Sequence, residues 1–243
     1  MVTRVVAIVQ ARMGSTRLPG KVLADVAGRS MLQRVIERLD AARRLDAVVV
    51  ATTREESDRP LVEYCRSQDW PVYAGSEQDV LHRYLQAAYR FGADVVVRIT
   101  SDCPLIDPSV VDAVVERLSS DPQLEYACNF YPERTFPRGL DVEAIRRSTL
   151  ERVAVATTDP RYREHVTLYI YEHPNEFRLG SVVATENAAE WRWTVDYPED
   201  LEFVQAIYRF FGAKSFGWQA CLRECLRHPE WRNLNQHLQQ KAA

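Results

Sequence analysis

The sequence predicts an α/β protein of three layers, with helices on both faces of a mostly parallel sheet. Two observations predict it. Short apolar, β-branched runs alternate along the chain with segments whose apolar residues recur at helical spacing. The first such run, residues 4–9 (RVVAIV), then passes into a loop rich in glycine and cations before the first helical pattern begins. That order suits a phosphate-binding turn at the carboxyl end of a first strand. At 243 residues the chain is long enough for one sizeable core. With no repeat, low-complexity stretch or linker-like break, 1–243 reads as a single domain, with a segment protruding within 131–174.

The elements follow in order. Residues 30–39 (SMLQRVIERL) place Met31, Leu32, Val35, Ile36 and Leu39 on one helical face. Residues 46–51 (DAVVVA) read as the second strand, ending in Thr52, Thr53 and Arg54. A helix over 58–67 and a short third strand over 70–73 come next. GSEQD at 75–79 opens a helix running to 91, with Ser76 as its N-cap and Glu77 and Asp79 at its positive end. Residues 94–99 (DVVVRI) form another buried strand that leads into TSDCPLID at 100–107. Asp107, ahead of Pro108, caps a helix over 109–118. Strands are expected over 125–131, 139–145, 177–185 and 191–195, and helices from 159 and over 198–210. Two helical stretches follow Gly212.

Composition narrows the function. Hydrophobic content of 46% and charged content of 27% are ordinary for a globular protein. A net charge of −3 gives no general attraction to nucleic acid or anionic membrane, so any affinity for phosphate is local. No apolar run approaches the ~18–20 residues of a membrane span, and residues 1–4 lead into a strand rather than a signal peptide. Cys65, Cys103, Cys128, Cys221 and Cys225 are odd in number and scattered, which suits a reducing cytoplasm better than a disulfide framework.

The loop 10–21 (QARMGSTRLPGK) is the strongest motif. It carries Arg12, Arg17 and Lys21 with Gly14, Gly20, Ser15 and Thr16, so three cations and two glycines fall within twelve residues. Glycines let backbone N–H groups approach a ligand, and cations meet the charge of a polyphosphate. The spacing is neither a Walker A loop nor GxGxxG. A merely solvated polar loop is the competing reading. We assign Gln10, Ala11, Arg12, Gly14, Ser15, Thr16, Arg17 and Lys21 to nucleotide binding.

Asp102 and Asp196 each follow an expected strand and precede a turn, in TSDCP and TVDYP. If the sheet brings these strand ends together, two carboxylates face the loop. Mg²⁺ takes one or two carboxylates along with phosphate oxygens and water. Each aspartate alone reads equally as a turn former or helix cap.

ARMGSTRLPGKVL closely resembles the opening motif of the sugar-acid cytidylyltransferases, the family of CMP-Kdo and CMP-acylneuraminate synthetases. The resemblance runs to about residue 211 and is nearest to the branch named for spore-coat polysaccharide biosynthesis, which carries similar PRGxDVE and REHVT segments. It implies the nucleotide-diphospho-sugar transferase (Rossmann-like) architecture and CMP transfer from CTP to a sugar acid, with pyrophosphate released. It puts Arg12 and Lys21 at the reacting phosphates. Asp102 and Asp196, the latter in VDYPEDLE, fall where the family carries its Mg²⁺-binding aspartates. Gly75, Ser76 and, further on, Arg83 resemble a segment near the base, which Thr52 also approaches. Arg138, Glu164 and His165 fall in the half that binds the sugar acid, and the family's habit of pairing through the protruding segment implies a homodimer. A glycosyltransferase of the same architecture is a second reading, although its Asp-x-Asp signature is absent, since Cys103-Pro104 follows Asp102. A non-catalytic nucleotide-binding subunit is a third.

Overall fold

A computed structural model describes residues 3–238. The apolar runs become β1 (Val5–Gln10), β2 (Ala47–Thr53), β3 (Val72–Gly75), β4 (Val95–Thr100), β5 (Tyr126–Cys128), β6 (Glu143–Arg146) and β7 (Leu179–Ser181). They form one sheet in the order β3-β2-β1-β4-β6-β5-β7. The first four are mutually parallel, β6 is antiparallel to both neighbours, and β7 runs parallel to β5. The helices are α1 (Met31–Asp40), α2 (Arg59–Ser67), α3 (Val80–Phe91), α4 (Pro108–Ser119), α5 (Arg147–Ala156), α6 (Pro160–His165), α7 (Leu168–Glu172), α8 (Pro198–Phe211), α9 (Trp218–Arg227) and α10 (Pro229–Asn235).

Alternation along the strands builds the layers. In β1, Val5, Ala7 and Val9 face α1, α4, α8 and α9, while Val6 and Ile8 face α3, α5 and α7. Side chains of successive residues point to opposite faces, so a strand covered on both sides must be apolar throughout. This is why RVVAIV has no polar alternation. Among the described residues no helix is long and apolar enough to cross a membrane.

Several expectations are corrected. The third helix begins at Val80 with Asp79 as its cap, accepting from His82 N at 2.8 Å; Ser76 instead accepts from Asp79 N at 3.0 Å. The expected helix over 159–172 is two short ones, broken at Val166, whose φ of 52° is rare for a β-branched residue and whose side chain is buried in the core. The strands expected over 125–131, 139–145 and 177–185 shorten to three or four residues each. Residues 191–195 form no strand. They cross the sheet's carboxyl edge and meet Arg138 by one bridge, Arg138 N to Trp191 O and Trp193 N to Arg138 O, at 2.9 and 2.7 Å. The cap expected at Asp107 forms, its side chain accepting from Ser109 N at 2.8 Å, and Ser30 and Asp159 cap α1 and α6 in the same way.

Candidate active site

The carboxyl ends of β1 and β4 open into a cleft of ≈ 670 Å³. Gln10, Arg12, Gly14, Ser15, Thr16, Arg17 and Lys21 form one wall. Thr100, Ser101 and Asp102 from the end of β4, with Asp196 and Tyr197 ahead of α8, form the other.

The loop after β1 is held by its own backbone. Ser15 N and Gly20 N both donate to Met13 O, and Lys21 N donates to Leu18 O. Gly20 has φ +70°, a conformation that favours glycine, and it launches the 3-10 turn Lys21–Leu23, which buries Val22 in the core. A carboxylate the sequence did not advertise completes the anchor. Asp58, 2% exposed, accepts from Met13 N at 2.7 Å and from Thr52 Oγ1 at 3.0 Å, and also binds Thr53. The N–H groups of Arg12, Gly14, Thr16 and Arg17 make no hydrogen bond to another described residue. Gln10 Oε1, on the cleft wall, is buried with no partner among the described residues. A buried polar atom left this way marks a place for an outside partner.

Opposite the loop, Asp102 and Asp196 are brought together. Val195 N donates to Asp102 O at 2.8 Å, tying the segment before α8 to the end of β4. Lys21 Nζ then lies 3.2 Å from Asp102 Oδ2, 2.9 Å from Asp196 Oδ1 and 2.7 Å from Val195 O. Arg17 Nη2 reaches the same Asp196 oxygen at 2.7 Å, and Arg192 Nη2 the other at 3.3 Å. Burial opposes charge on both partners, but the pairing wins: the Lys21 pKa is raised by Asp102 and Asp196, and the Asp196 carboxyl is held low by Lys21 and Arg17.

The remaining sequence-predicted residues lie outside this cleft. Ala11 is buried in the core, and Thr52 is buried with its hydroxyl on Asp58. Gly75 and Ser76 line a neighbouring cavity of ≈ 370 Å³ with Arg54, Tyr73 and His82. Beneath them Arg83 is buried, donates to Ser76 O, and keeps an unpartnered Nε among the described residues. Burial, with the Arg12 charge, lowers its pKa. Arg138 is half-buried near Arg134, Asp141 and Arg192, and its pKa falls through burial and those two cations. Glu164 is exposed and His165 half-buried on α6. Asp58, Arg192, Asp200 and Tyr197 were not singled out from sequence. The one available signal was Asp200 four residues after Asp196, in a helix start.

An α/β sheet with a basic phosphate loop facing two carboxylates across its carboxyl edge defines a nucleotidyltransferase. The sequence pattern of the cytidylyltransferase family matches residues 6–215, and the chain belongs to that family. It is similar to the spore coat polysaccharide biosynthesis protein SpsF of Bacillus subtilis, at 33% identity over 85% of this chain and 87% of that one. The 3-deoxy-manno-octulosonate cytidylyltransferase of Maricaulis maris is 38% identical over 84% of this chain and 96% of its own. The solved structure of a cytidylyltransferase from Leptospira borgpetersenii superimposes with a TM-score of 0.91 at 32% identity, covering 99% of this chain and 100% of that one.

Proposed function

We propose that the protein transfers CMP from CTP to a sugar acid and releases pyrophosphate, acting with Mg²⁺ in the cytoplasm on a route to a surface polysaccharide. One observation carries the reading: Asp102 and Asp196, facing the phosphate loop, are bridged by that loop's Lys21, whose Nζ lies 3.2 and 2.9 Å from them. Those residues fit a Mg²⁺ ion. Two carboxylates from separate segments already share one cation, the lysine's own ammonium, and phosphate oxygens and water complete the set that Mg²⁺ prefers. Asp102 and Asp196 would hold it, and when bound it would neutralise charge on the reacting phosphate.

The chain's own residues do the rest. Arg12, Arg17 and the free N–H groups of the loop take the triphosphate, with Lys21 at its reacting end. They stabilise the charge that develops on the departing pyrophosphate. The acceptor hydroxyl oxygen bonds to the α-phosphorus as the bond from that phosphorus to the bridging oxygen breaks. Its proton passes to a cleft carboxylate, and Asp102 is the more exposed of the two, at 27% against 9%. Gly75, Ser76 and Arg83 would flank the base, and Arg138, Glu164 and His165 the sugar acid. The relative from Maricaulis maris, a 3-deoxy-manno-octulosonate cytidylyltransferase, supports cytidylyl transfer to a sugar acid. The buried, free cysteines suit a reducing compartment.

The test is pyrophosphate release by the purified protein with Mg²⁺, crossing four nucleoside triphosphates with a panel of sugar acids. Release with CTP and one acid is expected. Equal release with all four triphosphates would overturn cytosine selectivity, and silence with every acid would overturn the sugar-acid assignment.

A further inference from the structure

The ammonium of Lys21 stands where the proposed function needs a divalent cation. Its three donors are all used, on Asp102 Oδ2, Asp196 Oδ1 and Val195 O. Asp196 is still more crowded: Lys21 and Arg17 share one oxygen, and Arg192 holds the other. Asp200 balances Arg192. Three cations therefore face three carboxylates, and the cluster carries no net negative charge to draw in a metal ion.

We propose that Lys21 and Arg17 are resident counter-ions that close Asp102 and Asp196 to a divalent cation until a triphosphate draws them away. The cation then enters with the nucleotide and not before it. This rests on the metal-dependent reading given above.

The geometry gives each partner a path. Lys21 has a flexible four-carbon stem rooted in a 3-10 turn, and Arg17 is 32% exposed on the loop wall. Both residues line the same cleft as Arg12 and the free N–H groups of the loop, so a triphosphate there offers them oxygens within reach of a side-chain swing. Arg192 cannot follow, because its guanidinium is fixed on Asp200 by two bonds of 2.8 Å. It stays behind and holds Asp196 in place. Before nucleotide arrives, a divalent ion must displace a bound ammonium from two carboxylates and then sit beside it, and like charges at that range repel strongly. After nucleotide arrives, the displaced cations are neutralised by phosphate. The coupling is reciprocal, so the metal must raise nucleotide affinity by the factor by which nucleotide raises metal affinity.

Mn²⁺ binding without nucleotide, followed by the loss of the free-ion electron paramagnetic resonance signal, tests the proposal. Lys21→Met and Lys21→Gln should bind Mn²⁺ about 10- to 100-fold more tightly than the wild type, while Lys21→Arg, which keeps the charge, should stay weak. Adding Asp102→Asn to Lys21→Met should return binding to the wild-type level, which places the ion at these carboxylates. The two neutral variants guard against one of them misfolding, which thermal melts detect. CTP affinity of the wild type, measured by calorimetry with and without Mg²⁺, separates the two readings. If that affinity depends on metal but the neutral variants bind Mn²⁺ no more tightly than wild type, the counter-ion proposal falls alone. If neither CTP affinity nor pyrophosphate release depends on metal, the metal-dependent reading falls and takes this proposal with it.

Discussion

Arg192 and Asp200 are joined by two parallel hydrogen bonds, Nε to Oδ1 and Nη2 to Oδ2, both 2.8 Å. The carboxylate is fully buried, and it also accepts from Asp196 N, Tyr197 N and Asn235 Nδ2 at 2.9 to 3.0 Å. This one group fixes the backbone of Asp196 and aims the arginine that holds the Asp196 side chain. Asp200→Ala strips the buried Arg192 guanidinium of its two 2.8 Å bonds and takes the acceptor from the Asp196 and Tyr197 N–H groups. We expect a loss of about 3–5 kcal/mol in urea denaturation. Asp200→Asn keeps the shape and accepts with one oxygen; it should fold more stably than the alanine variant and still lose most of its pyrophosphate-release activity.

The two cleft carboxylates were legible because each ends an apolar run before a turn, and α/β sheets gather such positions at one edge. The residues that brace them were not. Arg192 sits in WRW, where alternating aromatics mimic a strand, although the segment makes a single bridge, to Arg138, and runs close against the backbone of Gly139. Asp58 sits at the N-cap position of α2, yet its side chain makes no capping bond and serves the loop 45 positions earlier in the chain. Such long-range pairings leave no periodic trace. The helix start assigned to Ser76 failed on a local competition, since Ser, Glu and Asp in GSEQD all suit a first turn and the structure uses the last.

Asp58 makes its own prediction. Its carboxylate is the shared acceptor for Met13 N, Thr52 and Thr53, so Asp58→Ala strands buried donors and frees the phosphate loop from β2. We expect a stability loss of about 1–3 kcal/mol. The KM for nucleotide should rise by about tenfold with a smaller change in kcat, because the loop loses preorganisation while Asp102 and Asp196 are untouched. A fall in kcat at unchanged KM would contradict this role.

The pairing in the cleft also sets a pH dependence. The Asp196 carboxyl is held below its ordinary 3.8, with burial outweighed by Lys21 and Arg17. A folded value below the unfolded one adds stability that is present above pH 3.8 and lost as pH falls through the folded value. Lys21 has the opposite sign: its raised value adds stability that is present below pH 10.5 and lost as pH rises through the folded value. The stability gap between wild type and Asp196→Asn, from urea denaturation at a series of pH values, should be widest near neutrality. It should shrink as pH falls below 3.8, the ordinary carboxyl value. A gap that stays constant into acid would show that the carboxylate charge contributes nothing.

Two glycines separate packing from ligand contact. Gly139 has φ +106°, and a Cβ there would lie 2.6 Å from Thr194 N and 2.6 Å from the Trp193 carbonyl carbon. Those are backbone atoms, which cannot swing aside. Thr194 is also the residue whose hydroxyl meets Asp102 O at 3.3 Å, with Val195 N on the same oxygen. Gly139→Ala therefore forces the segment before α8 off the end of β4 and parts the two carboxylates. The strained φ alone should cost about 1–3 kcal/mol, read as a lower Tm, and activity should fall further than stability does. Gly14 is the contrast: a Cβ there would meet nothing within 4 Å, and its φ is not in the left-handed region. Gly14→Ala should melt as the wild type does, and any defect it shows should lie in nucleotide binding, where a methyl group would stand between the loop N–H groups and a phosphate. If Gly14→Ala instead lowered Tm while Gly139→Ala did not, the close approach of Gly139 to Thr194 would not be what sets the spacing of Asp102 and Asp196.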